Sequence, residues 1–181
     1  MLILASKSPR RCELLKFITE DFVIKSADVD ETLPDGISPS DAVLYLSKIK
    51  AEPFASENDV VIGADTVVAI DGKILGKPKN NENAKEMLKM LSGTTHSVFT
   101  GVTIISPKEK KSFFCETKVK FFDLTDDEID NYINTGECND KAGAYGIQGF
   151  GSILVEKIDG DYFNVVGLPV SKLYRELKSA I

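Results

Sequence analysis

Apolar residues along this chain gather in short blocks and then recur at helical spacing, again and again. That alternation marks an α/β architecture. Leu2–Ala5 predicts a short buried strand. Ser8 predicts the N-cap of the helix behind it, with Pro9 at the first helical position and Leu14, Leu15 and Ile18 as its apolar face. Phe22–Ser26 predicts a second strand, followed by the acidic loop Asp28-Val29-Asp30-Glu31. Ser38-Pro39-Ser40-Asp41 repeats the cap-and-proline start, and Ala42, Val43, Leu46 and Ile49 keep helical spacing. Pro53 is expected to end or kink that helix, leaving irregular chain near Phe54–Glu57.

Val60–Ile70 predicts a long strand that Asp71-Gly72 turns into the hairpin partner Lys73–Leu75. Asn81–Leu91 predicts a helix with Ala84, Met87, Leu88 and Leu91 on one side, ended by Ser92-Gly93. Val98–Ile105 and Ser112–Phe122 predict two long antiparallel strands. Thr125-Asp126-Asp127-Glu128 is a capping box opening a helix that stops at Gly136. After a glycine-rich stretch come Ser152–Ile158, the turn Asp159-Gly160-Asp161, Tyr162–Val166, and a final helix started by Pro169. No repeat, linker or low-complexity tract intervenes, so residues 1–181 read as one domain on a mixed sheet.

Composition narrows the function classes. With 43% hydrophobic and 28% charged residues, the chain can bury a proper core and does not read as disordered. Its 28 acidic against 22 basic side chains give a net charge of −6, which argues against a nucleic acid polymer as partner. Phosphate binding would need a local cluster of cations or a metal ion. The three cysteines, Cys12, Cys115 and Cys138, form no C-x-x-C pair, so neither a zinc ribbon nor a disulfide framework is expected. The apolar opening is too short for a signal peptide, and Asp65 breaks the longest apolar run. A soluble, cytoplasmic protein that spans no membrane is the expectation.

Four stretches carry candidate chemistry. Ser6-Lys7-Ser8-Pro9-Arg10-Arg11 lies between a strand and a helix start, where free N–H groups and the helix dipole favour an anion. Its cations oppose the dipole, so a phosphate site explains them better than a solvated turn does. Asp65, in an otherwise apolar strand, needs a divalent cation or a lysine as partner unless it faces solvent at a bulge. Lys77, before the stiffening Pro78, and Lys50, late in the second helix, are individually no more than surface charges. Asp140 to Gly151 is glycine-rich and holds Gln148, whose amide both donates and accepts, as reading a base edge requires; a tight structural loop explains it equally well. Neither a dinucleotide fingerprint nor a P-loop is present, and no G-x-S-x-G elbow supports a serine hydrolase. His96 reads as a structural, hydrogen-bonded histidine.

Taken in order, these segments resemble the Maf family of nucleoside triphosphate pyrophosphatases. The resemblance rests on Leu4-Ala5-Ser6-Lys7-Ser8-Pro9-Arg10-Arg11-Cys12-Glu13-Leu14-Leu15, Ile62-Gly63-Ala64-Asp65-Thr66-Val67-Val68, Gly76-Lys77-Pro78, Ser92-Gly93-Thr94-Thr95-His96, Asp140–Gly149 and Val165-Val166-Gly167-Leu168-Pro169, and covers essentially the whole chain. It implies a long twisted mixed sheet flanked by helices, with a cleft between two lobes, often in a dimer. It implies a cytoplasmic enzyme, dependent on Mg²⁺ or Mn²⁺, that cleaves a nucleoside triphosphate to monophosphate and pyrophosphate. Carried over by motif, Asp65 is the acidic catalytic residue or metal ligand, Glu31 a second carboxylate, and Lys50 and Lys77 contact phosphates. Ser6, Lys7, Ser8 and Arg11 complete the substrate cradle. Arg10, Thr66 and Gln148 match the branch acting on dTTP and UTP rather than the sister branch that prefers 7-methyl-GTP. A regulator of septum formation, with the cleft as a sensor, is the competing reading from another class. Around Lys50 the chain has Ser47-Lys48-Ile49-Lys50-Ala51 where the family more usually has Glu-Lys-Ala.

Overall fold

Seven strands build one mixed sheet in a computed structural model that describes residues 1–180. They are β1 (Leu2–Ala5), β2 (Val23–Lys25), β3 (Val60–Ile70), β4 (Lys73–Leu75), β5 (Thr95–Ile105), β6 (Lys110–Phe121) and β7 (Val155–Asp159). Their order across the sheet is β2-β1-β3-β5-β6-β7, with β4 paired to β3 off this path. β1 runs parallel to β2 and β3, and the remaining pairings are antiparallel. Because β1 pairs with β3 only from Leu2↔Val60 to Ala5↔Gly63, the second half of β3 projects beyond the end of β1. An α/β sheet opens a crevice at such a strand end, and this one does so beside Ser6 and Ser8.

The helices are α1 (Pro9–Leu15), α2 (Pro39–Ala51), α3 (Asn81–Leu91), α4 (Asp126–Asn134), α5 (Tyr162–Val166) and α6 (Val170–Ala180). Their starts follow the local rules: Ser8, Ser38, Asn80 and Thr125 each accept a hydrogen bond from a backbone N–H in the first turn, and Thr125 with Glu128 completes the capping box. The hairpin turn Asp71-Gly72 has both residues at positive φ, 49° and 76°. α2 ends at Ala51 and Pro53 lies in a short 3₁₀ turn, Glu52–Phe54, followed by irregular chain.

Two segments to which the sequence pattern assigns no element take definite forms in the structure. Only Val155–Asp159 of the segment from Ser152 is a strand; Gly149–Leu154 is 3₁₀ helix. Tyr162–Val166 forms a short helix capped by Asp161, whose side chain accepts from the Phe163 N–H. Its apolar residues do not alternate as a half-buried strand would require, and the Asp161 cap starts the helix.

The two largest of four apolar cores among the described residues lie along the sheet. One gathers Leu88, Leu91, Phe121, Ile129 and Tyr145 under α3 and α4; the other gathers Leu4, Ile62, Ile104, Leu168 and Leu173 under α1 and α6. α2 covers the opposite face, and glycine makes that fit possible. A Cβ on Gly63 would stand 2.2 Å from the Ser47 carbonyl oxygen, and one on Gly101 would stand 2.2 Å from that of Val43. Both obstacles are backbone, so α2 would have to move away. Gly101→Ala is therefore expected to cost about 2 kcal/mol, measured by urea unfolding.

His96 belongs to the first core, stacked edge-on to Phe121 and Tyr145, with Nε2 2.7 Å from the Tyr145 hydroxyl. Its Nδ1 is buried with no hydrogen-bond partner. Burial lowers its pKa to about 4, from an ordinary value of 6.5. The unfolded chain therefore takes up a proton on His96 before the folded chain does. The stability this supplies is complete above pH 6.5 and drains as pH falls to about 4, by about 3 kcal/mol at 1.36 kcal/mol per unit. Urea midpoints across that range are expected to fall more in the parent than in His96→Asn.

Candidate active site

A cavity of about 460 Å³ opens where β1 ends, and both cores contribute to its walls: Val68 and Tyr145 from one, Ile147 and Val166 from the other. One rim is the turn into α1. Ser8 caps that helix, and its own N–H donates to the buried Ser6 hydroxyl at 3.2 Å. Arg11 lies along the turn with three bonds: Nε to the Gly167 carbonyl at 2.9 Å, Nη2 to the Thr66 hydroxyl at 3.0 Å, and Nη1 to the Ser6 hydroxyl at 3.4 Å. Burial lowers its pKa, a shift opposed by the charge of Asp65, and a guanidinium so placed remains protonated. Arg10 also lines the cavity and reaches Asp140 at 3.4 Å. Lys7, expected in this cradle, is exposed and is not among the residues lining the cavity. In the turn between β1 and α1 it is Ser6 that is buried, while Lys7 beside it is turned to solvent.

The facing wall carries the carboxylates. β3 and β5 pair in register, and Asp65 stands opposite Gly101, turned toward α2, while Thr66 faces the other way. Asp65 is 9% exposed. A carboxylate this deep needs a partner, and Lys50 from the last turn of α2 provides it through Oδ1. The same ammonium lies 3.1 Å from Glu31, in the loop before α2. The unusual local sequence around Lys50 leaves its geometry intact, because the helix continues to Ala51 before Pro53 ends it. Lys77 is exposed on the rim just after β4 and makes no ion pair among the described residues.

Thr66 sits in a directed chain of hydrogen bonds. Arg11 donates to its hydroxyl, which lies 2.9 Å from that of Thr100. Thr100 spends its one proton on the Asn164 carbonyl at 2.8 Å, so Thr66 must donate to Thr100. With its proton committed inward, the Thr66 hydroxyl can offer the cavity only an acceptor.

The glycine-rich stretch closes the far side. Gly143 has φ 68° and lies against Val68, where a Cβ would approach Cγ1 to 2.9 Å. Lys141 donates to Asp140 at 2.7 Å and to the Glu137 carbonyl at 2.6 Å. Burial pushes the Asp140 carboxyl up, but Lys141 and then Arg10 outweigh it and hold the pKa below its ordinary value. Gln148 is exposed at the mouth of the cavity. The structure thus brings Ser8, Arg10, Arg11, Glu31, Lys50, Asp65, Thr66, Lys77 and Gln148 to one cleft, with Ser6 behind it and Lys7 outside. Glu137 escaped the sequence reading. The signal for it was present: a loop dense in glycine has N–H groups that need an acceptor, and an acidic residue lies just upstream.

A family model described as Maf-like protein matches residues 1–180. A protein named dTTP/UTP pyrophosphatase from Bacillus cereus (strain G9842) is 52% identical over 179 residues, covering 98% of this chain and 94% of its own length. A protein of the same name from Bacillus pumilus (strain SAFR-032) is 52% identical over 180 residues, covering 98% and 95%. Among solved structures, the Staphylococcus aureus Ham1 protein superposes with a TM-score of 0.54 at 20% identity, over 85% of this chain and 79% of its own. That likeness concerns the fold alone.

Proposed function

The chain belongs to the Maf-like protein family, and we propose on that premise that it is a nucleoside triphosphate pyrophosphatase acting on dTTP and UTP. The observation that carries this reading is the convergence of Asp65, Glu31 and Lys50 on one wall of a cleft whose other rim is the Ser8–Arg11 turn. The triphosphate lies between the two. Arg10 and Lys77 meet its charge, and the helix start at Ser8 offers N–H groups.

Asp65 commits Oδ1 to Lys50, while Oδ2 has no hydrogen bond among the described residues and serves to take a proton from the attacking water. Water adds at the α-phosphorus, the bond to the oxygen bridging the α- and β-phosphorus breaks, and pyrophosphate leaves with that oxygen. Lys50 and Lys77 stabilise the charge that develops on the leaving group. Among the described residues no three metal-type side chains cluster. Two carboxylates already gathered around one cation nevertheless suit Mg²⁺ or Mn²⁺, which take one or two carboxylates and complete their shell with phosphate oxygens and water. Asp65 and Glu31 would hold such an ion, which would neutralise phosphate charge.

Base choice follows from hydrogen-bond polarity. Thymine and uracil carry an N3–H donor, whereas cytosine has an unprotonated N3 at that position. Thr66, able only to accept, and Gln148, able to do both, favour the imide bases. Among the described residues no helix is long and apolar enough to cross a membrane. The cysteines are unpaired, and a reducing cytoplasm suits them.

The test is pyrophosphate release from a panel of nucleoside triphosphates with Mg²⁺ or Mn²⁺. Release from dTTP and UTP, well above that from dCTP and 7-methyl-GTP, is the expected result. Nucleotide binding without release would overturn the enzymatic reading in favour of a sensor. Release from 7-methyl-GTP instead would overturn the assignment of Arg10, Thr66 and Gln148.

A further inference from the structure

The loop that carries Gln148 is held from the inside by a single carboxylate. Glu137 opens the 3₁₀ turn Glu137–Asp140, half-buried behind the cleft. Its Oε2 accepts from the Phe150 N–H at 2.9 Å, and its Oε1 accepts from the Gly151 N–H at 3.0 Å and from the Tyr132 hydroxyl at 3.1 Å. Tyr132 in turn accepts from the Gly146 N–H at 3.1 Å. The Gly146–Gly151 segment is thereby gripped on both sides of Gln148, directly after it and through Tyr132 before it.

We propose that Glu137 is a positioning residue for base selection: with the Tyr132 hydroxyl it fixes the backbone flanking Gln148 and so aims that amide at the nucleobase. The inference rests on the reading of the cleft as a nucleotide site. Three further observations support it. Glu137 makes no ion pair among the described residues, since Lys141 binds its main-chain oxygen and Asp140 instead. Its charge therefore goes entirely into charge-assisted bonds to the loop and Tyr132, which are the stronger kind. The wrap is also tight. A Cβ on Gly149, at φ 64°, would stand 2.4 Å from Glu137 Oε2, and one on Gly151 would stand 2.0 Å from the Gly146 carbonyl oxygen. Finally, burial raises the Tyr132 pKa, so its O–H remains protonated and able to donate to the carboxylate. An exposed side chain such as Gln148 has no packing of its own to select its direction, so the backbone that carries it must be fixed.

Glu137→Gln keeps the shape and sets an N–H₂ donor against the Phe150 N–H. Pyrophosphate release from dTTP, UTP and dCTP is measured for the parent, Glu137→Gln, Tyr132→Phe, Gln148→Ala and the Glu137→Gln/Gln148→Ala double variant. For Glu137→Gln the KM for dTTP and UTP is expected to rise at least tenfold, more than kcat falls, with preference over dCTP reduced. If Glu137 acts through Gln148, the double variant discriminates no worse than Gln148→Ala alone. Tyr132→Phe, which removes the hydroxyl's bonds to Gly146 and to Glu137 but leaves Glu137 bonded to the Phe150 and Gly151 N–H groups, is expected to show the same KM-weighted effect in smaller degree, and it serves if Glu137→Gln does not fold. A kcat lowered alike for every nucleotide with preference unchanged would overturn the proposal. So would additive losses in the double variant. Amide hydrogen exchange at Gly146, Phe150 and Gly151 gives a readout independent of turnover: faster exchange in Glu137→Gln is expected, and unchanged exchange would overturn the positioning role. A parent that releases no pyrophosphate, with exchange still accelerated in the variant, would instead locate the failure in the enzymatic reading.

Discussion

Replacing Asp65 by Asn is expected to lower turnover of dTTP by about 10²–10⁴-fold, while nucleotide binding stays within a few-fold of the parent. The amide is nearly isosteric, so β3 and its pairing to β5 keep their geometry. What disappears is an oxygen able to take a proton from water, together with one of the two negative charges facing Lys50. In the proposed binding mode the ground-state contacts to the triphosphate come from the α1 turn and the rim lysine, which line the cleft and are untouched by the substitution. The expected signature is therefore a fall in kcat with little change in KM, because the lost interaction belongs to the transition state. Steady-state pyrophosphate release paired with calorimetric titration of dTTP checks it. Full activity in Asp65→Asn would remove Asp65 from the reaction.

Lys50→Met is expected to cost both stability and activity. The ammonium lies between Asp65 and Glu31, and the Lys50 and Asp65 side chains are 18% and 12% exposed. Methionine fills the stem's volume and removes the charge, leaving a nearly buried carboxylate with no counter-ion. Breaking such a pair costs about 3 kcal/mol. Turnover is expected to fall by about 10²–10³-fold through loss of one cation that stabilises the developing phosphate charge. The double variant Lys50→Met/Asp65→Asn separates the two effects. It should regain most of the stability, since the carboxylate left without its lysine is then only the exposed Glu31, and none of the turnover. Urea midpoints and pyrophosphate release on the same preparations decide this. Stability unchanged in Lys50→Met would mean that Asp65 does not depend on its lysine.

Both variants act on residues that sequence treats very differently. Asp65 was conspicuous as a charge in a run of apolar residues, and the demand for a partner followed from desolvation alone. Lys50 is one of two lysines in the last turn of α2, and local chemistry does not separate it from its neighbour Lys48. Only the seating of α2 on the sheet separates them. Gly63 and Gly101 let the helix backbone approach to contact distance, which turns Lys50 inward and leaves Lys48 exposed. Lys7 shows the reverse: it belongs to the most suggestive cluster in the sequence, yet it is exposed and does not line the cleft. Glu137 is faint in the sequence for a third reason: apart from the Tyr132 hydroxyl its partners are main-chain N–H groups, which are the same in every sequence, so its only mark is an acidic residue just upstream of a glycine-rich loop.

What the sequence by itself determined is whatever depends on near neighbours along the chain. The helix starts at Ser8, Ser38, Asn80 and Thr125, the turn at Asp71-Gly72, the end of α2 before Pro53 and most strand positions are of this kind. Caps, turns and apolar periodicity act over a few residues, so they are written where they operate. The order of the motifs also pointed to the family. Tertiary structure alone decided which charges meet: Lys50 with Asp65 and Glu31, Arg11 with Thr66 and Gly167, and Glu137 with the loop around Gln148. It alone also gave the Thr66 hydroxyl its direction, through Thr100 and Asn164. The physical reason is that a charge or a proton takes its preference from whatever lies within a few ångströms, and across a cleft those neighbours come from segments far apart in the chain.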